Sequence, residues 1–351
     1  MLRSRSLLAA LTTLGLSFPL TAQKNAVKVF ILAGQSNMEG KVQNPLFDHQ
    51  ATDEKTKALF AHLREDDQWI ERDDVFIKFL KRHGPLTVGY GSPGRTGVEL
   101  EFGTVMGEHF KAPVLLIKAA WGGHSLVQKF RPPSAGLPPA KQLDEELAKA
   151  QEQTRKRNEK DGRDRAMPTM QDIKDGYGIS YRNMMQEVQT AMESCGELFG
   201  ELEGKKLELT GFVWFQGWND QYNGAEKEYE ANMTRFIEDV RRDLDAPRLP
   251  FVIGVMGQNG SKPAKGAMKT IQAAQLAMPK LPAFRGNVLA VRTDTLVDQA
   301  AEDLYPTWKQ NFEQWQLVGS DHPYHYLGSA IWHVRMGHAF AEAMLELLDN
   351  Q

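Results

Sequence analysis

A single cysteine, Cys195, stands in the 351-residue chain, so no intrachain disulfide forms and no thiolate metal cluster is built. A domain of this length buries enough apolar surface to fold without such staples. Cys195 follows an amphipathic stretch in a Ser-Cys-Gly turn, which makes it a structural residue. Excess charge is missing too. The 42 Lys and Arg against 45 Asp and Glu leave a formal net charge of -3, no footprint for nucleic acid. Long apolar runs are scarce. The one at the start, Leu7 to Leu20, follows the cationic Met1-Leu2-Arg3-Ser4-Arg5 and precedes Thr21-Ala22-Gln23. It is too short and wrongly flanked for a membrane span and reads as a secretory signal peptide over 1–22. The expected location is periplasmic or secreted, with no membrane contact after cleavage.

What is present is a regular alternation. Apolar runs of strand length occur at 27–33, 74–80, 113–120, 209–216, 250–256 and 288–292. They are nearly continuous in hydrophobicity, as suits parallel strands covered on both faces. Helical patterns lie between or after them at 101–110, 141–160, 180–195, 226–244, 267–277 and 327–348. Strand and helix in alternation imply one doubly wound α/β domain over 23–351, with ligand chemistry at the carboxyl ends of the strands. A segment at about 130–176 departs from the pattern. Four prolines open it, a highly charged stretch from Lys141 to Arg165 follows, and almost no apolar face is left. It reads as a solvated insertion, not a second domain.

Three segments carry chemistry. Residues 27–40 deliver Ser36 from an apolar run through Gly34 into a tight turn, where the next backbone N–H groups face a substrate oxygen. That is the placement a serine nucleophile needs, although a serine after a strand also serves as a helix cap. The strand at 209–216 runs into Gln216-Gly217-Trp218-Asn219-Asp220, where Asn219 is either an oxyanion donor or an Asx-turn residue. The third segment, Ser320-Asp321-His322-Pro323-Tyr324-His325, puts an acid and a histidine on one loop before a helix, so that the carboxylate orients the imidazole. Two histidines and an aspartate are also metal ligands, but no spaced third ligand accompanies them and no metal is expected. Trp121, Trp214, Trp218, Tyr324 and Tyr326 cluster near these turns, with Trp308 and Trp315 in the preceding loop. Flat faces with polar edges suit sugar rings, and a residue such as Trp214, inside a strand, suits the core equally.

Gly34-Gln35-Ser36-Asn37-Met38, Gly217-x-Asn219-Asp220 and the late loop with His325 resemble the blocks of the SGNH (GDSL-type) hydrolases. More narrowly they resemble the branch of sialate O-acetylesterases and the acetylxylan esterases of carbohydrate esterase family 6. Phe-Gln-Gly at 215–217 and Ala-Ala-Trp-Gly-Gly at 119–123 look like the same branch. The resemblance runs from about 26 to 345. It implies a flavodoxin-like three-layer α/β/α sandwich around a parallel sheet. It also implies removal of O-acetyl groups from carbohydrates by a serine triad without a cofactor. Carried over, Ser36 is the nucleophile, His325 the base and Asp321 the acid. The oxyanion hole falls to the Ser36 N–H, the Asn219 amide and Gly97, with Gly122 or Gly123 as alternatives. Gln35, Gln216, Trp218, Trp121 and Tyr324 are the expected substrate-binding residues.

Three departures stand out. Val98 replaces a common proline, and Trp218 replaces a common glutamate. The acid ordinarily lies three residues before the histidine, where this chain has His322. Asp321 lies four before it, so Asp294 and Asp298 stay in play. A lipolytic or aryl esterase on the same scaffold, and a carbohydrate-binding module whose catalytic geometry has decayed, are the rival expectations. The charged 141–165 stretch argues against the first of these, and the irregular Asp321–His325 spacing is what favours the second.

Overall fold

The computed structural model describes residues 26–350, so the expected signal segment lies outside the described residues. Seven strands form the main sheet: β1 (Ala26–Gly34), β2 (Val75–Phe79), β3 (Arg82–Pro85), β4 (Val114–Ala120), β5 (Lys206–Phe215), β6 (Phe251–Val255) and β7 (Val288–Arg292). Their spatial order is β7-β6-β5-β1-β4-β2-β3, and every pairing is parallel except β2 with β3. Without the outer β2–β3 pair, the remaining five strands run in the flavodoxin-like order 2-1-3-4-5. The chain goes from β1 to β4 on one side and returns to β5 on the other. The end of β1 is therefore the topological switch point, where a ligand crevice opens.

Alternate residues of β1 serve opposite layers, as a strand period of two requires. Val27, Val29, Ile31 and Ala33 pack with Met184 and Val188 of α4 (Ile179–Glu193), Phe236 and Ile237 of α5 (Tyr229–Asp243), and Ile271 of α6 (Gly266–Ala277). Phe30 and Leu32 face Phe102 and Met106 of α2 (Glu99–His109) and Met336, Phe340 and Met344 of α7 (Ala330–Asp349). The result is the expected three-layer α/β/α sandwich.

All six apolar runs are strands. The short edge strand β3 was not legible, because Arg82-His83-Gly84-Pro85 is polar and largely exposed. Two expected helices start later, at Tyr229 and Ala330, because separate tight turns occupy 225–227 and 323–328. Within the charged segment the chain forms α3 (Ala140–Asp161), in which Leu143 is the one buried residue. The chain then returns alongside it, with Asn158 Nδ2 donating to Arg165 O at 2.9 Å and Gln151 Nε2 to Pro168 O at 2.9 Å.

Candidate active site

Parallel register sets the site. Gly34 pairs with Ala120 on one side and Phe215 on the other, so β1, β4 and β5 end level. The strands are so close there that a Cβ on Gly34 would stand 2.1 Å from the Phe215 carbonyl oxygen. From Gly34 the chain enters a single helical turn, α1 (Ser36–Glu39), with Ser36 at its head. Ser36 is 6% exposed, and among the described residues its hydroxyl has no hydrogen-bond partner.

Gln35 ties this turn to the end of β5. Its Oε1 accepts from Gln216 Nε2 at 3.2 Å, Gly217 N at 3.2 Å and Asn219 N at 3.4 Å, while its Nε2 donates to Asn219 Oδ1 at 3.1 Å. With its oxygen held, the Asn219 carboxamide keeps both N–H donors without a partner among the described residues. Gln216 Nε2 donates also to His124 O and to Asp220 Oδ2, and its Oε1 accepts from Tyr229 OH. Gln35 and Gln216 were expected to touch substrate. Each is only 2% exposed, and both ends of each amide are engaged in this network, which ties the two strand ends together. Asp220, fully buried, accepts from Leu126 N and Val127 N at 2.8 Å each and so pins the loop after β4. Burial pushes its carboxyl up to about 6, against the pull of the Gln216, Leu126 and Val127 donors.

The late loop is built around an unusual turn. Tyr326, Leu327 and Gly328 adopt left-handed backbone with φ of 51°, 60° and 57°. Two of the three are not glycine, an arrangement that persists only where surroundings over-determine it. Here they do. Leu327 O accepts from Ser320 N and Asp321 N, Leu327 N donates to His322 O, and Ser320 Oγ donates to Gly328 O. The buried Tyr326 hydroxyl accepts from Gly257 N at 2.9 Å and contacts Thr293 Oγ1 at 2.8 Å. This closed loop folds Asp321 back on His325, with Oδ2 3.1 Å from Nδ1. The contact is a close approach of the two groups, not an aligned hydrogen bond. The same oxygen accepts from Arg95 Nη1 at 2.6 Å, and Oδ1 accepts from His322 N at 2.8 Å. Burial acts to raise Asp321, but His325, the His322 N–H and Arg95 outweigh it and hold the carboxyl well below the usual range.

The two alternative acids are engaged elsewhere. Asp294 pairs with Arg292 and accepts from Asn259, and Asp298 caps the helix at Gln299–Leu304 while accepting from Ser329 Oγ at 2.6 Å. A bond from Asn37 Nδ2 to Tyr324 O at 3.1 Å joins the serine turn to the histidine loop.

Gly97 needs correction as an oxyanion donor, because its N–H donates to Glu99 Oε1 at 2.9 Å. That carboxylate is fixed in turn by the buried Lys118 ammonium at 2.8 Å. Gly122 is the glycine beside the serine, since a Cβ there would lie 3.7 Å from Ser36 Cβ. Among the described residues its N–H has no acceptor. Trp218 and Tyr324 meet at 6.0 Å between ring centroids, and Tyr324 stands edge-on to His325 at 4.5 Å. Trp121 stacks on His124. Trp214 and Tyr326 are core. Sequence reasoning missed Glu39, which accepts from Ser92 Oγ at 2.6 Å and pairs with Lys41 at 3.0 Å next to Gly122. Its signal was the i,i+3 spacing from Ser36 on one helical face. Arg95 carried no comparable signal.

A family model described as carbohydrate esterase, sialic acid-specific acetylesterase, matches residues 26–346. The chain belongs to this family. It is therefore a carbohydrate esterase, with acetylated carbohydrate as its substrate class. No curated protein compared with it matches. Among solved structures, an Arabidopsis thaliana protein shares 17% identity with a TM-score of 0.50, over 92% of this chain and 98% of its own. At that identity the likeness concerns the fold alone. A carbohydrate acetylesterase from Xanthomonas citri shares 15% identity with a TM-score of 0.49, over 92% of this chain and 57% of its own.

Proposed function

We propose that this esterase is an exported enzyme that removes O-acetyl groups from sugars, with Ser36 as nucleophile, His325 as base and Asp321 as the acid that orients it. The observation that carries the reading is the Asp321 carboxylate at 3.1 Å from His325 Nδ1, on a loop bonded to the Ser36 turn. The irregular four-residue offset, which favoured a decayed module, is accounted for by the left-handed turn that closes the loop.

His325 Nε2 takes the Ser36 proton as Oγ attacks the acetyl carbonyl. Negative charge develops on the carbonyl oxygen, and three donors suit it: the Ser36 N–H, the Gly122 N–H and the Asn219 amide held by Gln35. Asp321 stabilises the imidazolium that forms. Collapse of the tetrahedral intermediate breaks the bond to the sugar oxygen, which leaves with the proton from His325. Water, deprotonated by the same imidazole, then attacks the acetyl-serine; the Oγ–acyl bond breaks, Ser36 takes the proton back from His325, and acetate leaves. Export rests on residues 1–22, and N-terminal sequencing of protein recovered outside the cytoplasm checks it. Ser36→Ala is expected to lower acetate release to about a thousandth or less, the scale of triad knockouts, and to abolish labelling by a fluorophosphonate. Retained turnover or labelling would put the nucleophile elsewhere.

A further inference from the structure

Arg95 reaches the candidate site from a part of the chain that carries none of its chemistry. Ser92-Pro93-Gly94-Arg95 is a β-turn closed by Arg95 N, which donates to Ser92 O at 2.8 Å. Pro93 presets the second position, and Gly94, at φ 71°, takes the left-handed third one, the Pro-Gly pattern of a type II turn. The turn is docked on the end of α1. Ser92 N donates to Gly40 O at 3.1 Å, while Ser92 Oγ donates to Glu39 Oε1 and accepts from Lys41 Nζ, both at 2.6 Å. Beyond the turn, Arg95–Thr96 pairs antiparallel with Val42–Gln43. Whatever Arg95 holds is thereby referred to the turn that carries Ser36.

What it holds is the acid. Arg95 Nη1 has two N–H bonds and uses both, donating to Lys41 O at 2.7 Å and to Asp321 Oδ2 at 2.6 Å. Among the described residues, the second of these is the one aligned hydrogen bond that Oδ2 accepts. The other oxygen, Oδ1, is held by the N–H of its own neighbour His322, which moves with the loop. Gln43 also reaches the loop, at 3.2 and 3.4 Å, but only at Ser320. Arg95 is therefore the tie that fixes this carboxylate relative to the serine, through a charge-assisted bond, the strong kind. The guanidinium stands behind the site, not in it. Arg95 and Asp321 line an outer cavity of about 440 Å³ whose lining includes neither Ser36 nor His325, and the Arg95 side chain is 27% exposed.

We propose that Arg95 is a positioning residue of the esterase, a strut that fixes the Asp321 carboxylate against the Ser36 turn so that His325 meets acid and nucleophile together. The proposal rests on the Ser36–His325–Asp321 reading and adds to it a residue that touches no substrate. A double-mutant cycle on the full mature protein with 4-nitrophenyl acetate tests it. Arg95→Ala is expected to lower kcat about tenfold or more, the scale of one lost charged hydrogen bond, with KM within about twofold. In an Asp321→Ala background the same substitution is expected to cause no further loss, because the carboxylate it serves is gone. Guanidinium ion at millimolar concentration, entering from the outer cavity, is expected to raise the kcat of Arg95→Ala about threefold or more and to leave wild type and Asp321→Ala unchanged. Should Arg95→Ala not fold, Arg95→Gln, which removes the charge and keeps an N–H donor, carries the same two expectations in the cycle. Unaltered kcat in the folded variant, an equal loss in both backgrounds, or a loss in Arg95→Ala that guanidinium does not relieve overturns the strut and leaves the triad standing. Near-normal turnover in Asp321→Ala itself overturns the acid assignment on which the proposal rests.

Discussion

At the scale of single residues, the informative contrasts lie among carboxylates. Asp321 is held far below the usual range by His325, His322 and Arg95, whereas Asp220, buried without a cation, is pushed up to about 6. Asp321→Asn should therefore cost turnover on the order of a thousandfold, since the base survives without its partner but in the wrong tautomer. Asp294→Asn should leave turnover near normal, because Asp294 answers to Arg292 and Asn259. Steady-state kinetics on the two variants decide between them, and a collapse in Asp294→Asn alone would move the acid. For Asp220 the folded state holds a proton between pH 3.8 and about 6 that the unfolded chain has already released. Its contribution is fully present below the usual carboxylate value and is lost as pH rises through 6, amounting to about 3 kcal/mol over the window. The unfolding free energy of wild type relative to Asp220→Asn should thus decline by about that much from pH 4 to 7. A difference flat with pH would mean that Asp220 titrates normally.

At the scale of elements, the strand ends and the late loop solve one problem by different means. β1 and β5 are tied side chain to side chain, through Gln35, Gln216 and Asn219. The loop before α7 is tied mainly through its own backbone, and Tyr326 is its anchor to β6. The four-residue Asp321–His325 offset was legible in the sequence, but the turn that makes it work was not, because Tyr326 and Leu327 are not residues that announce a left-handed conformation. The network around Gln35 was equally hidden. A glutamine beside a nucleophile reads as a substrate contact until burial shows both ends of its amide occupied. Tyr326→Phe removes the acceptor for the buried Gly257 N–H, and leaving such a donor unpaired costs about 1–3 kcal/mol. Denaturant unfolding should report that loss, accompanied by a severalfold fall in kcat as His325 drifts from its acid. Unchanged kcat with lowered stability would show that the backbone bonds alone hold the loop.

At the scale of the whole molecule, what the sequence discloses follows from burial. The six apolar runs are strands covered on both faces, so their hydrophobicity is nearly continuous and their bounds are sharp. The amphipathic helices are legible for the related reason that each buries one stripe. The edge strand β3 obeys neither rule, being short, polar and largely exposed. The charged segment is the extreme case. α3 holds only Leu143 in the core, and its far half is flanked by the returning segment 163–169. Because Gln151 Nε2 already bonds to Pro168 O, the two backbones stand one side chain apart and a short linker closes the chain there. Removing residues 152–167 and joining Gln151 to Pro168 through two glycines keeps Leu143 and also the Tyr177–Glu146 hydrogen bond at the base. No residue of the candidate site is touched. The lost ion pairs Arg155–Glu152, Lys156–Glu152 and Arg165–Asp161 are exposed ones of small worth. The shortened protein should keep full turnover of 4-nitrophenyl acetate and a melting temperature within a few degrees of the parent. A large loss of turnover, with the fold intact by circular dichroism, would make the outlying half of α3 a functional part of the enzyme.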